Sequence, residues 1–178
     1  MFVKRRISIS DLTIIGMLAA LCIVSTMLRI YYTNDAFVHL GTAAIFTSAI
    51  LFGGKRAGIA AALGSAIFDI MGGVFTYTLW SFFIKGIAAF MVGTIAHSGK
   101  SEGKSYVKNI LGCVIAAAWT LTGYIVAWTV VLGSFEAAVL RIPTSIISSS
   151  VGLIVAIPLA PILRTALIKA GMGKFLNT

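Results

Sequence analysis

Long apolar runs separated by short polar segments dominate the chain. A helix that crosses a membrane needs about 20 predominantly apolar residues, and several runs approach that length. The pattern predicts six transmembrane helices, over residues 12–30, 41–52, 57–71, 79–96, 110–132 and 143–163. No internal repeat and no long linker interrupts the series, so we expect residues 1–178 to form a single all-α membrane bundle.

Local signals refine the ends of these helices. Ser10 and Asp11 precede the first apolar run and are typical of a helix N-cap. Pro158 and Pro161 lie late in the sixth run, where proline either kinks a helix or ends it early. The segment MFVKRRISIS resembles the basic start of a signal peptide, but the apolar run after it is too long for one. We therefore expect a retained first helix.

Composition supports a membrane protein and excludes two other classes. Hydrophobic residues make up 59% of the chain and charged residues 11%, against about 45–50% and about 25% in soluble domains. The net charge of +9 does not indicate a nucleic-acid binder, because the basic residues lie between apolar runs rather than on one polar face. Cys22 and Cys113 lie in apolar runs and are interpreted as core residues, with neither a disulfide nor a metal site indicated.

The basic residues also predict an orientation. With six spans both termini lie on one side, and that side carries 11 of the 14 lysines and arginines. Cytoplasmic loops are enriched in these residues, so both termini are predicted to be cytoplasmic. The eleven are Lys4, Arg5, Arg6, Lys55, Arg56, Lys100, Lys104, Lys108, Arg164, Lys169 and Lys174.

The loop between the fourth and fifth runs contains Gly-Lys-Ser twice, in HSGKSEGKS. A phosphate-binding P-loop needs a glycine five residues before the second glycine, where this chain has Thr94 and Ser98. We therefore expect a flexible basic loop without nucleotide binding. Its lysines are expected to fix topology, with contact to acidic lipid or a partner protein as a secondary possibility.

Candidate binding residues lie near the opposite, outer side. Asp69 ends the third run and Lys85 lies early in the fourth. Ionisable groups inside a membrane cost at least about 2.5–3.5 kcal/mol at its centre and usually face the bundle interior. The two either form an interhelical ion pair or contact a shared ligand. His39, where the first outer loop enters the second run, is either a ligand group or an interfacial histidine.

Aromatic and hydroxyl side chains surround this region. Tyr77, Trp80, Tyr124 and Trp128 fit either the aromatic belt of a membrane protein or stacking surfaces for a flat ring. Hydroxyls of the sixth run bond either to a ligand or to other helices; they belong to Thr144, Ser145, Ser148 and Ser149. The candidate substrate-binding set is His39, Asp69, Tyr77, Trp80, Lys85, Trp119, Tyr124 and Ser148.

Small residues recur at four-residue spacing, which lets helices approach closely in lipid. The first run carries Gly16, Ala19 and Ala20. Internal packing explains most such spacings, and this set could instead form a docking face for another membrane subunit.

Two segments resemble the substrate-binding S component of an energy-coupling factor (ECF) vitamin transporter. They are HLGTAAIFTSAILFGGKRAGIAAALGSAIFDIMGG (39–73) and TYTLWSFFIKGIAAFMVGTIAH (76–97). The similar features are His-Leu-Gly before the second run, Phe-Gly-Gly after it, Gly-Ser and Asp at the end of the third, and Ile-Lys-Gly in the fourth. Thr42 stands where the family usually has Asp. The most similar branch includes members assigned to riboflavin, pyridoxine and hydroxymethylpyrimidine.

The resemblance implies a function and partners. Such a subunit captures a vitamin at its outer face, with the first outer loop closing the site, and is not an enzyme. It docks through its first three helices on a transmembrane coupling subunit in a prokaryotic cell membrane. Two cytoplasmic ATPases then hydrolyse ATP, so this chain needs no cofactor, and the subunit topples to release its ligand. Among vitamins, the pyridoxine and hydroxymethylpyrimidine class is preferred over riboflavin.

Two other classes remain open from the residues alone. An intramembrane enzyme would need a nucleophile with a base or a metal motif, yet His39 and His97 are predicted on opposite sides and no H-E-x-x-H occurs. A self-sufficient channel or secondary carrier is compatible with six spans, but no inverted repeat indicates one.

Overall fold

The computed structural model describes residues 8–31 and 37–176. It confirms the predicted all-α class. The helices are α1 (Ile9–Met27), α2 (Gly41–Phe52), α3 (Gly54–Met71), α4 (Thr78–Ala96), α5 (Tyr106–Leu132), α6 (Phe135–Val139) and α7 (Ile142–Lys169). A small antiparallel hairpin of β1 (Arg29–Tyr31) and β2 (Phe37–His39) joins α1 to α2. Single 3₁₀ turns cover Phe75–Tyr77, Ser98–Lys100 and Gly173–Phe175.

The first helix begins earlier than predicted. Ser8, not Ser10, is the N-cap: its hydroxyl accepts from the Asp11 amide at 3.2 Å, and the Asp11 carboxylate accepts from the Ser8 amide at 2.9 Å. This reciprocal capping box satisfies two helix-terminal donors. The helix also ends at Met27 rather than at residue 30, because Arg29 pairs with His39 across the hairpin.

The last long helix decides between two expectations. Pro158 and Pro161 do not end α7 early, because the helix continues to Lys169. Proline removes a helical hydrogen bond, but Ala156 and Ala160 are buried in the core beside the two prolines, and α7 packs along α2. This packing offsets the lost bonds. The sequence also missed α6, a short helix capped by the Ser134 hydroxyl, which accepts from the Ala137 amide at 3.2 Å.

The lengths and hydropathy of the helices suit a membrane. Within the described ranges, four helical segments are long and apolar enough to cross one: Ile9–Met27, Phe75–Ala96, Tyr106–Leu132 and Phe135–Lys169. The apolar helix α2 is shorter, with 12 residues. A span needs about 20, so the count of six spans stays a prediction.

Helices α1, α2, α3, α4, α5 and α7 all contribute side chains to one buried cluster. Phe46, Ile50 and Val92 are among its most enclosed members. The seam between α1 and α3 is especially close. A Cβ atom added at Gly64 would lie 2.8 Å from the Ala19 carbonyl oxygen and 2.9 Å from the Cys22 Cβ. Gly64 therefore sets the distance between these two helices.

The two ends of the bundle differ, and we name them for what they carry. The hairpin end holds β1, β2, the start of α4 and α6. The terminal end holds the start of α1, the α4–α5 loop and the last described residues. There Arg56 pairs with Asp11 at 2.5 Å and donates to the Phe175 carbonyl at 2.6 Å, while Leu176 is buried in the core.

The α4–α5 loop is bonded to the bundle, contrary to the flexible loop that the sequence predicts. The Gly103 amide donates to the Ala96 carbonyl at 3.0 Å, and the Asn109 amide group donates to the Gly103 carbonyl at 2.9 Å. Arg164 of α7 donates to the Glu102 carbonyl. These three hydrogen bonds hold the loop against the bundle.

Candidate ligand-binding site

The helical repeat of α4 places Ser81 and Lys85 on one face, one turn apart. The Lys85 ammonium donates to the Thr42 hydroxyl of α2 at 3.4 Å and lies 5.4 Å from the centre of the Tyr124 ring of α5. A cation at this distance is attracted by an aromatic ring. Three helices therefore meet around one lysine near the hairpin end.

The α5 side of this cluster is aromatic. Tyr124 and Trp128 are four residues apart on α5, and their rings stack with centres 5.5 Å apart and planes 24° apart. The Tyr124 hydroxyl lies 3.1 Å from the Ser81 hydroxyl. The hydrogen bond to α4 and the stacking on Trp128 together fix the Tyr124 ring beside Lys85.

Asp69 supplies the opposite charge from the last turn of α3. It is 9% exposed, and the Ser81 hydroxyl lies near its carboxylate. Its Oδ2 atom is buried without a hydrogen-bond partner. Within the described part of the chain no carboxylate lies within 4 Å of Lys85, so the structure does not contain the interhelical Asp69–Lys85 ion pair that the sequence left open.

His39 ends β2 and borders the same region. Its Nδ1 atom accepts from the Gly41 amide at 3.2 Å, so the ring proton is on Nε2. Burial, and then the charges of Lys85 and Arg29, lower the His39 pKa to about 3. The imidazole is therefore neutral at physiological pH and adds no charge to the cluster.

The remaining predicted residues take different places. Trp119 is 37% exposed and donates from Nε1 to the Ile84 carbonyl at 3.1 Å, which joins α5 to α4. Tyr77 and Trp80 are partly buried at the start of α4. Ser148 is buried on α7, one turn before Gly152, whose added Cβ would meet the Thr42 side chain. The helical repeat thus places Ser148 toward the Thr42 side of the cluster.

Two members of the cluster are absent from the predicted set. Thr42 is buried beside Lys85, although its departure from the family pattern argued against it. Ser81 is buried between Asp69 and Tyr124. Ser81 lies four residues before Lys85, and residues i and i+4 of a helix share a face. This spacing could have indicated that Ser81 belongs to the cluster.

The proposed docking residues divide between two faces of α1. Ala19 is buried against Gly64 of α3, as the close seam requires. Gly16 and Ala20 are exposed, and a Cβ added at Gly16 would meet no atom within 4 Å. Only Gly16 and Ala20 of the predicted set therefore belong to an open surface.

The cluster brings several kinds of polar and aromatic group together. It combines one cation, one carboxylate, three hydroxyls and stacked rings, which together suit a flat polar molecule. Among the described residues, no three His, Cys, Asp or Glu side chains lie close enough to hold a metal ion. The fold is thus a helical bundle with membrane-length apolar helices and a polar cluster between them.

Comparison with known proteins gives the family. The family model described as "ECF-type riboflavin transporter, S component" matches residues 6–165. The chain therefore belongs to this S-component family, which consists of transporter subunits rather than enzymes. Its resemblance to ECF S components, first inferred from sequence, is confirmed.

A solved structure agrees with the fold. ThiT from Listeria monocytogenes aligns with a TM-score of 0.50 and 19% identity, over 93% of this chain and 97% of that chain. At this identity the likeness concerns the fold alone. No curated protein matches the sequence.

Proposed function

We propose that this chain is the high-affinity capture subunit of an ECF-type importer for a small heteroaromatic vitamin or precursor, of the pyridoxine and hydroxymethylpyrimidine class. The observation that carries the proposal is the cluster of Lys85, Thr42 and Tyr124 with Asp69 beside it. Stacked rings favour a flat ligand, and hydroxyls and charges favour one with several polar substituents.

Riboflavin is the second candidate, because the family model that matches the chain is named for it. The charges of the cluster favour the smaller class. Riboflavin carries no ionised group at neutral pH, so it would leave partly buried Lys85 and buried Asp69 with only neutral partners. A buried charge is costly unless it is well paired or hydrogen-bonded.

The family and one exposed face of α1 support a proposal for the coupling partners. We propose that a transmembrane coupling subunit docks on the exposed face of α1 that contains Gly16 and Ala20, and that two ATPases drive the cycle. Small residues permit close helix contact in lipid. The excess of lysine and arginine at the terminal end supports a cytoplasmic location for that end in a prokaryotic cell membrane. The hairpin end with the ligand cluster then faces outward.

Equilibrium binding tests the capture function. The purified chain is titrated with pyridoxine, hydroxymethylpyrimidine and riboflavin by calorimetry. We expect either pyridoxine or hydroxymethylpyrimidine to bind one-to-one. Lys85→Met is expected to weaken this binding by about tenfold or more, because hydrogen bonds to a charged group contribute about 1.5–3 kcal/mol. Lys100→Met, at an exposed loop lysine, is the matched control. Binding that is unchanged in Lys85→Met would contradict the proposed site.

A transport assay separates capture from independent carriage. Liposomes that contain the chain alone are expected to show no uptake of radiolabelled ligand, whereas co-reconstitution with a coupling subunit, its ATPases and ATP restores uptake. Concentrative or facilitated uptake by the chain alone would establish a self-sufficient carrier instead.

A further inference from the structure

Two opposite charges lie in the same buried cluster without contacting each other. Asp69 of α3 and Lys85 of α4 influence each other electrostatically, yet no carboxylate oxygen of the described residues lies within 4 Å of the Lys85 ammonium. A plain structural ion pair would close this distance, since a direct bond is the cheapest way to bury two charges.

Each charge is also incompletely satisfied by the protein. The Lys85 ammonium has three donors, and its observed hydrogen-bond acceptor is the Thr42 hydroxyl at 3.4 Å. One Asp69 oxygen, Oδ2, is buried without a partner, although Asp69 is 9% exposed. Buried polar atoms are nearly always hydrogen-bonded in folded proteins, so the Asp69 oxygen calls for a further partner, and the partly buried Lys85 ammonium has donors left for one.

Two side chains, Ser81 and Tyr124, lie between the two charges. The Ser81 hydroxyl lies near the Asp69 carboxylate and 3.1 Å from the Tyr124 hydroxyl, and the Tyr124 ring in turn lies 5.4 Å from the Lys85 ammonium. A ligand that reached both charges would therefore pass along the Ser81 hydroxyl and an aromatic ring, which suits a flat heterocycle.

We propose that the ligand bridges Asp69 and Lys85, and that the site selects a zwitterionic heteroaromatic ring. A protonated ring nitrogen at one edge would donate to the free Asp69 oxygen, and an anionic or strongly accepting oxygen at the other edge would accept from Lys85. A 3-hydroxypyridine in its zwitterionic form has this arrangement. The inference rests on the proposed capture function and names the charge pattern of its substrate.

The test uses one derivative that blocks the ring nitrogen and one that blocks the 3-oxygen; the second also lowers the basicity of the ring nitrogen. Pyridoxine, its N-methylpyridinium derivative and its 3-O-methyl ether are titrated into the full chain and into Asp69→Asn and Lys85→Met. We expect N-methylation and Asp69→Asn each to weaken binding by about tenfold or more, and their combination to cost little beyond either alone. The same non-additivity is expected for 3-O-methylation with Lys85→Met, because groups in direct contact do not contribute independently.

Controls separate contact from damage. Glu136→Gln changes an exposed carboxylate on α6 and is expected to bind all three compounds as the unchanged chain does. Thermal melting verifies that each variant folds. If Asp69→Asn does not fold, the two methylated compounds on the unchanged chain still decide the matter, because equal affinity for all three contradicts bridging.

The outcomes distinguish this inference from the capture function. Additive losses, or tight binding of the methylated compounds, would overturn bridging while capture stands. Binding of riboflavin but not pyridoxine would overturn the zwitterionic class and leave a vitamin-capture subunit. Absence of binding to pyridoxine, hydroxymethylpyrimidine and riboflavin would overturn both proposals.

Discussion

Substitution of two glycines by the same residue should separate the internal seam of α1 from its exposed face. Gly64→Val places a Cβ 2.8 Å from the Ala19 carbonyl oxygen and 2.9 Å from the Cys22 Cβ. The first neighbour is backbone and cannot rotate away, so α1 and α3 must separate. Overpacking of this kind costs about 1–3 kcal/mol. Gly16→Val meets no atom within 4 Å and removes a helix-destabilising glycine.

The assay is thermal unfolding of the purified protein in one detergent. For a domain of this size, each kcal/mol shifts Tm by about 2–4 °C, so Gly64→Val is expected to lower Tm by about 2–12 °C. Gly16→Val is expected to leave Tm within about 2 °C of the unchanged chain. Equal Tm values for the two variants would refute the close α1–α3 seam.

The same pair tests the docking surface. Gly16→Val should retain ligand binding but lose co-purification with a co-expressed coupling subunit, because the added side chain holds the partner helix away. Retention of the complex by Gly16→Val would place the docking face elsewhere on the bundle.

Two further predictions concern the ends of the bundle. The His39 pKa of about 3 lies below its usual 6.5, so the unfolded chain binds the proton more readily than the folded one. Stability is therefore lost as pH falls below 6.5, and at pH 5 His39 lowers the free energy of unfolding by about 2 kcal/mol. His39→Gln should therefore flatten the decline in Tm between pH 7.5 and 5, and an unchanged slope would contradict the assignment. At the terminal end, Arg56→Gln should release the Phe175 carbonyl and speed amide exchange over Gly173–Phe175, whereas Lys55→Gln, at the exposed neighbouring position, should not. Equal exchange in the two variants would mean that Arg56 does not hold this segment.

The hydrophobic pattern predicted the bounds of some helices closely. The bounds of α2 agree in full and α4 differs by one residue at its start. The prolines of α7 do not end the helix, because packing against α2, which a single sequence does not display, outweighs the local cost of proline. The β-hairpin was missed because its strands have three residues each, too few for a periodic signal.

The candidate site was only partly predictable, for a similar reason. Asp69 and Lys85 stand out because charge is rare inside apolar runs. Ser81 and Thr42 do not stand out, since hydroxyls are common in membrane helices and only the packing of α2 against α4 shows that Thr42 meets Lys85. The division of α1 into a buried face with Ala19 and an exposed face with Gly16 likewise depends on where α3 packs.

The most direct test of the account is to identify the small molecule that the chain captures. The protein is purified from cells in detergent, denatured, and the released compounds are identified by mass spectrometry, with Lys85→Met purified in parallel. We expect one heteroaromatic vitamin or precursor in stoichiometric amount from the unchanged chain and a much smaller amount from the variant. The same compound in equal amount from both proteins, or a captured molecule without an aromatic ring, would contradict it.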